Sequence, residues 1–104
     1  MKLQNKDGTT TYLAEAGDVS NTPILLLHGI GADHKMWEPQ MEWFADRGFH
    51  VLAPDLFGHG LSSKVDSLTL ETWENQINEI LYQLDISQVI LVGVSMGGVI
   101  AQSY

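Results

Sequence analysis

One serine stands in a setting that could make it a nucleophile. The segment Gly93-Val94-Ser95-Met96-Gly97-Gly98 follows an apolar run and precedes helix-forming residues. A G-x-S-x-G segment between a buried strand and a helix is a nucleophile elbow. The turn is tight, so it strains the backbone at Ser95 and lifts the hydroxyl clear of the sheet. Gly93 and Gly97 leave room where a Cβ would strike a neighbouring strand or helix. Ser95 then sits at a helix N-terminus, where the positive dipole end favours developing negative charge. The Met96 N–H is one candidate oxyanion donor. A glycine-rich turn that only packs closely is the plain alternative. A dinucleotide-binding G-x-G-x-x-G turn fits poorly, because it needs glycine where Ser95 stands.

Two other loops carry candidates. His28-Gly29-Ile30-Gly31 ends an apolar run, and glycines there let a backbone N–H turn toward a ligand. The Ile30 N–H is the candidate second oxyanion donor. His28 reads as a structural hydrogen-bonding residue rather than a base. Asp55 opens Asp55-Leu56-Phe57-Gly58-His59-Gly60-Leu61-Ser62. Asp55 and His59 share one loop, which suits pairing with each other or with backbone groups better than a catalytic dyad. Where a serine on such an elbow belongs to a catalytic triad, the acid and histidine are expected after it in the chain. Nine residues follow Ser95, and none is Asp, Glu or His. Asp33, His34 and His28 lack helical or finger-type ligand spacing, so a solvated loop is expected and no metal site. Trp37, Trp43 and Trp73 are expected in the core or a pocket wall.

The elements that must position these residues alternate along the chain. Lys2 to Asn5 and Thr9 to Glu15 flank Asp7-Gly8, a hairpin turn signal. Pro23 to His28, Phe49 to Pro54 and Val89 to Gly93 are short apolar runs of the kind buried on both faces of a parallel sheet. Trp37, Met41 and Phe44 recur at helical spacing, with Pro39 in a first turn and Gly48 as a stop. Leu70, Trp73, Ile77, Ile80, Leu81 and Leu84 mark one helix face, with Glu71, Glu74 and Glu79 on the solvated side. Val99 to Tyr104 begins a further helix. The fold class is α/β: a mostly parallel sheet with crossover helices and an N-terminal antiparallel hairpin.

Three motifs in order, His28-Gly29-Ile30-Gly31, Asp55-x-x-Gly58-His59-Gly60-x-Ser62 and Gly93-x-Ser95-Met96-Gly97-Gly98, resemble the α/β-hydrolase fold superfamily. The resemblance covers nearly the whole chain but only the first part of that fold. Residues 1–104 are therefore expected to be a partial domain that ends just after the elbow. The resemblance implies Ser95 as nucleophile, Ile30 and Met96 as backbone oxyanion donors, and Asp55, Gly58 and His59 as a structural loop. It implies a hydrolase of esters, thioesters, lactones or related carbonyl compounds, working through an acyl-enzyme and without a cofactor. The acid and histidine would come from further chain, so the piece alone is expected to be inactive. The serine argues against relatives with an aspartate nucleophile, such as epoxide hydrolases.

Composition bounds the rest. The chain has 104 residues, enough for one small domain. Its net charge is −8, which disfavours nucleic acid or an anionic membrane as a partner. It has no cysteine, so disulfides and thiolate chemistry are excluded. The N-terminus lacks an apolar signal region, and no apolar run approaches the roughly 20 residues that span a bilayer. These features point to a soluble cytoplasmic protein acting on a small molecule. Two alternatives stand beside the enzyme: a ligand-binding or interaction module on the same scaffold, and a short chain that completes its sheet by pairing its exposed final strand with another chain.

Overall fold

The computed structural model describes residues 1–104. Its strands are β1 (Lys2–Gln4), β2 (Thr10–Ala16), β3 (Thr22–Leu27), β4 (Phe49–Pro54) and β5 (Ile90–Gly93). Its helices are α1 (Glu38–Ala45), α2 (Leu70–Gln83) and α3 (Met96–Ser103), with one 3₁₀ turn at His34–Trp37. The strands form one sheet in the order β1-β2-β4-β3-β5. The β1–β2 hairpin and the β2–β4 pair are antiparallel, while β4, β3 and β5 are mutually parallel. The expected α/β architecture is the one observed.

The hairpin turn works as its residues dictate. Gly8 takes φ +90°, and the Asp7 carboxylate accepts from the Thr9 N–H and hydroxyl. These bonds hold the Asp7 carboxyl below its ordinary range.

Strand β3 is the hinge of the topology. The chain leaves it through α1 to β4 on one side, then returns through α2 to β5 on the other. A parallel crossover is right-handed, so α1 and α2 must cover opposite faces. Successive side chains of β3 accordingly alternate. Ile24 and Leu26 pack with Met41 of α1, Trp37, Val51 and Ala53. Leu25 and Leu27 pack with Trp73, Ile77 and Ile80 of α2 and Ile100 of α3. The strand order reverses at β3, so the loops leaving the carboxyl ends of β3 and β5 run to opposite faces, the place where sites gather in open α/β sheets.

Several expectations are corrected. Strand β5 pairs only with β3, and Ile90 is 46% exposed, so this apolar run is an edge rather than a buried strand. Leu70 is the first residue of α2 and lies exposed, while the buried stripe is Trp73, Gln76, Ile77 and Ile80. The N-cap is Thr69, whose hydroxyl accepts from the Thr72 N–H, with Thr72 closing a capping box. Helix α1 ends at Ala45, and Gly48 closes the following turn at φ +87° with its N–H on Ala45 O. Trp43 points outward, half exposed, with the Arg47 guanidinium 3.6 Å from its ring centroid. No helix is long and apolar enough to cross a membrane.

Candidate active site

Ser95 joins β5 to α3 at φ 55°, ψ −118°. A non-glycine residue at such angles is strained by about 1–3 kcal/mol and persists only where its surroundings impose it. Here the glycines do so. A Cβ on Gly93 would meet Gly97 O at 2.2 Å, and one on Gly97 would meet Leu27 O at 2.1 Å. Their bare backbones let α3 descend onto the ends of β5 and β3. Ser95 is consequently exposed, and its side chain does not cap α3.

The end of β3 meets it. A Cβ on Gly29 would lie 3.3 Å from the Ser95 Cβ, which places the Gly29–Ile30 backbone beside the serine. Gly29 to Ala32 is a tight turn closed by Ala32 N–H to Gly29 O, with Gly31 at φ +76°. A positive φ at the third turn position is a type II feature that glycine accommodates. The Ile30 N–H is bonded to no protein group. The Met96 N–H opens α3, where helical N–H groups lack intrahelical acceptors, and no loop carbonyl takes it up. The structure therefore brings Ser95, Met96 and the Gly29–Ile30 peptide to one rim, and neither the Ile30 nor the Met96 N–H is taken up by another protein group. The apolar rim side chains Ile30, Val94 and Val99 are exposed. None of the surface clefts, such as the one between the hairpin and α2, includes Ser95.

The loop after β4 is structural and densely bonded. Asp55 is fully buried. Its Oδ1 accepts from the His34 N–H at 2.7 Å and from His34 Nδ1 at 2.8 Å, and its Oδ2 accepts from the Leu61 N–H at 2.8 Å. Gly60 is obligatory, since a Cβ there would lie 2.2 Å from Oδ2. Asp55 does not pair with His59, whose Nδ1 donates to Phe57 O and whose ring lies 4.9 Å from that of His28. His28 and His34 are both buried, so the solvated loop expected for them is corrected. His34 folds inward because Asp55 needs its two donors. The Asp33 carboxylate is taken up in capping the 3₁₀ turn. Gln76 was not singled out in the sequence. Its Oε1 accepts from the Phe57 N–H, and its Nε2 donates to Asp55 O and to the Thr11 hydroxyl. Only its place at helical spacing between Trp73 and Ile80 marked it as buried.

His28 sits between these loops. Its Nδ1 is 2.7 Å from Gly29 O, and its Nε2 accepts from the Leu56 N–H at 3.0 Å. The carbonyl needs a donor and the N–H an acceptor, so the ring is neutral with its proton on Nδ1. Burial is the main cause that depresses its pKa below the ordinary 6.5, with His59 adding to it, while the Gly29 bond, Asp55 and Asp33 oppose. A histidine with a depressed folded pKa binds fewer protons folded than unfolded. Its stability contribution is thus complete above pH 6.5 and is lost as pH falls below it. Urea unfolding at pH 7.5 and 5.5 should show a loss at the lower pH that shrinks in His28→Asn. An equal loss in both proteins would show that His28 is not its source.

A mixed sheet with β4, β3 and β5 parallel, a strained serine between strand and helix and two free backbone donors define a class. The chain belongs to the α/β hydrolase fold family, whose sequence profile matches residues 22–104. It is similar to the AB hydrolase superfamily protein YisY of Bacillus subtilis, with 33% identity over 103 residues. That alignment covers 98% of this chain and 38% of the relative. It is also 30% identical over 99 residues to 3-oxoadipate enol-lactonase 1 of Acinetobacter baylyi, covering 95% and 37%. Among solved structures, an esterase from Exiguobacterium antarcticum superposes with a TM-score of 0.91 at 33% identity, over all of this chain and 38% of that one. The chain thus spans less than two fifths of the length of these relatives.

Proposed function

We propose that this chain is the nucleophile-bearing N-terminal part of a serine hydrolase acting on carboxylic esters or related carbonyl compounds. The observation that carries the proposal is Ser95, strained and exposed, with the Gly29–Ile30 backbone against it. The Ser95 oxygen attacks the substrate carbonyl while a histidine from further chain takes its proton. The carbonyl oxygen becomes an oxyanion held by the Ile30 and Met96 N–H groups. The bond to the leaving group breaks, the leaving alcohol or thiol takes the proton, and water releases the acid from Ser95. The family members it resembles include an esterase and an enol-lactonase, which supports a carbonyl substrate. The free edge of β5 is where the rest of the sheet would pair.

A fluorophosphonate probe tests this directly. It should add one phosphonyl group to the full-length protein, on the peptide containing Ser95, and stop hydrolysis of p-nitrophenyl acetate. The 104-residue chain alone should show no turnover above background, because no acid or histidine follows Ser95. Ester hydrolysis that persists with Ser95 unlabelled would sink the proposal. A full-length protein that is inert to esters yet binds a small ligand would favour a binding role for the same scaffold.

A further inference from the structure

The Asp55–Leu56 peptide and His28 are joined to the candidate oxyanion donor by hydrogen bonds that all point one way. At the far end, Asp55 O accepts from Ser62 Oγ at 2.5 Å and from Gln76 Nε2 at 3.0 Å. The N–H of that same peptide, on Leu56, donates to His28 Nε2 at 3.0 Å. His28 Nδ1–H then donates to Gly29 O at 2.7 Å. Gly29 O and the Ile30 N–H belong to one peptide. In a trans peptide the carbonyl and N–H point in opposite directions. Fixing the carbonyl toward His28 therefore fixes the N–H away from it. Each bond in such a head-to-tail series also polarises the next.

We infer that Gln76, Ser62 and His28 form a hydrogen-bond relay that orients and polarises the Gly29–Ile30 peptide, so that residues buried beneath the sheet set the strength of the oxyanion donor at Ser95. The inference rests on the serine-hydrolase proposal and deepens it. The members are positioning residues, since none touches the reacting atoms. Ala32 N–H shares Gly29 O at 3.2 Å, so the peptide keeps one anchor when His28 is changed. The relay also gives the Asp55–Ser62 loop its purpose. Tyr12 N–H and Ser62 Oγ tie it to β2, the Trp73 indole donates to Phe57 O, and the loop presents Leu56 N–H to His28.

The two amide replacements of His28 separate its two bonds. His28→Asn keeps a donor near the position of Nδ1 and loses the acceptor. His28→Gln keeps an acceptor near Nε2 and loses the donor to Gly29 O. In the full-length protein, His28→Gln should lower kcat on p-nitrophenyl acetate by about tenfold or more, with KM nearly unchanged. It should weaken phenylboronic acid, which forms a tetrahedral adduct on the serine, by a similar factor. His28→Asn should recover part of both losses, because it restores the donor to Gly29 O but not the link to the Leu56 N–H. Gln76→Glu keeps an acceptor for the Phe57 N–H but removes the donor to Asp55 O. It should shift the Ile30 amide resonance in a nitrogen–proton spectrum, and Ser62→Ala serves the same end if that variant does not fold.

Equal losses in the two His28 variants, in step with their melting temperatures, would overturn the relay. So would an Ile30 amide that does not move in the folded Gln76 or Ser62 variant. If Ser95→Ala leaves ester hydrolysis intact, the serine-hydrolase proposal fails, and the Ile30 resonance still decides the relay.

Discussion

Replacing Ser95 by glycine is expected to abolish ester turnover and stabilise the full-length protein in the same step. Losing the nucleophile of an acyl-transfer site costs roughly 10⁵–10⁶ in kcat, because the remaining groups act on the serine rather than on water. The stabilisation comes from the backbone. Ser95 holds φ 55°, ψ −118°, a conformation that only glycine adopts without strain. Relief of about 1–3 kcal/mol is partly offset by the extra freedom of glycine in the unfolded chain, about 0.5–1 kcal/mol. A net gain of about 1 kcal/mol is expected. Ser95→Ala should lose turnover equally and gain no such stability. Urea midpoints beside initial rates for the two variants check both parts. A glycine variant less stable than the alanine variant would show that the strain is not stored where the geometry puts it.

Asp55→Ala should produce the largest loss of stability of any single change near the site. The carboxylate is fully buried and accepts three hydrogen bonds, two from His34 and one from the Leu61 N–H. Removing it leaves buried donors without acceptors, at a cost of about 3–5 kcal/mol. Asp55→Asn should fall between. Its single oxygen can serve the donors on one side, but its NH₂ then faces a donor on the other. The rate per folded molecule should change far less than for Ser95→Gly, because the side chain lies in the supporting loop. A stable Asp55→Ala protein that had lost all turnover would instead give Asp55 a catalytic part. The same result would reopen the dyad with His59 that the geometry disfavours.

The candidate site was more legible than its supports. Ser95, its flanking glycines and the Gly29–Ile30 turn could be read because each needs a particular residue type. A tight turn excludes a Cβ at Gly93 and Gly97, and a type II turn favours glycine at Gly31. The supports were hidden because polar residues carry no periodic signal of burial. Gln76 lies at a buried position of α2, but nothing local shows that Asp55 O and the Phe57 N–H await it. His34 sits in a polar segment that reads as solvated, and it is buried only because Asp55 lies 21 residues away in sequence and beside it in space.

The succession of strands and helices along the chain, the hairpin and the strained serine turn were legible in the sequence alone. Each needs particular residue types at short spacing, where local sterics and apolar pattern leave a readable mark. The tertiary structure decided how the two loops are bound together. It set the single tautomer of His28, the inward turn of His34 and the direction of the Gly29–Ile30 peptide. Those outcomes depend on donors and acceptors matched across β2, β3, β4 and α2. Such matches form only when the sheet is assembled, because an unpaired buried polar group is too costly for any other arrangement to persist.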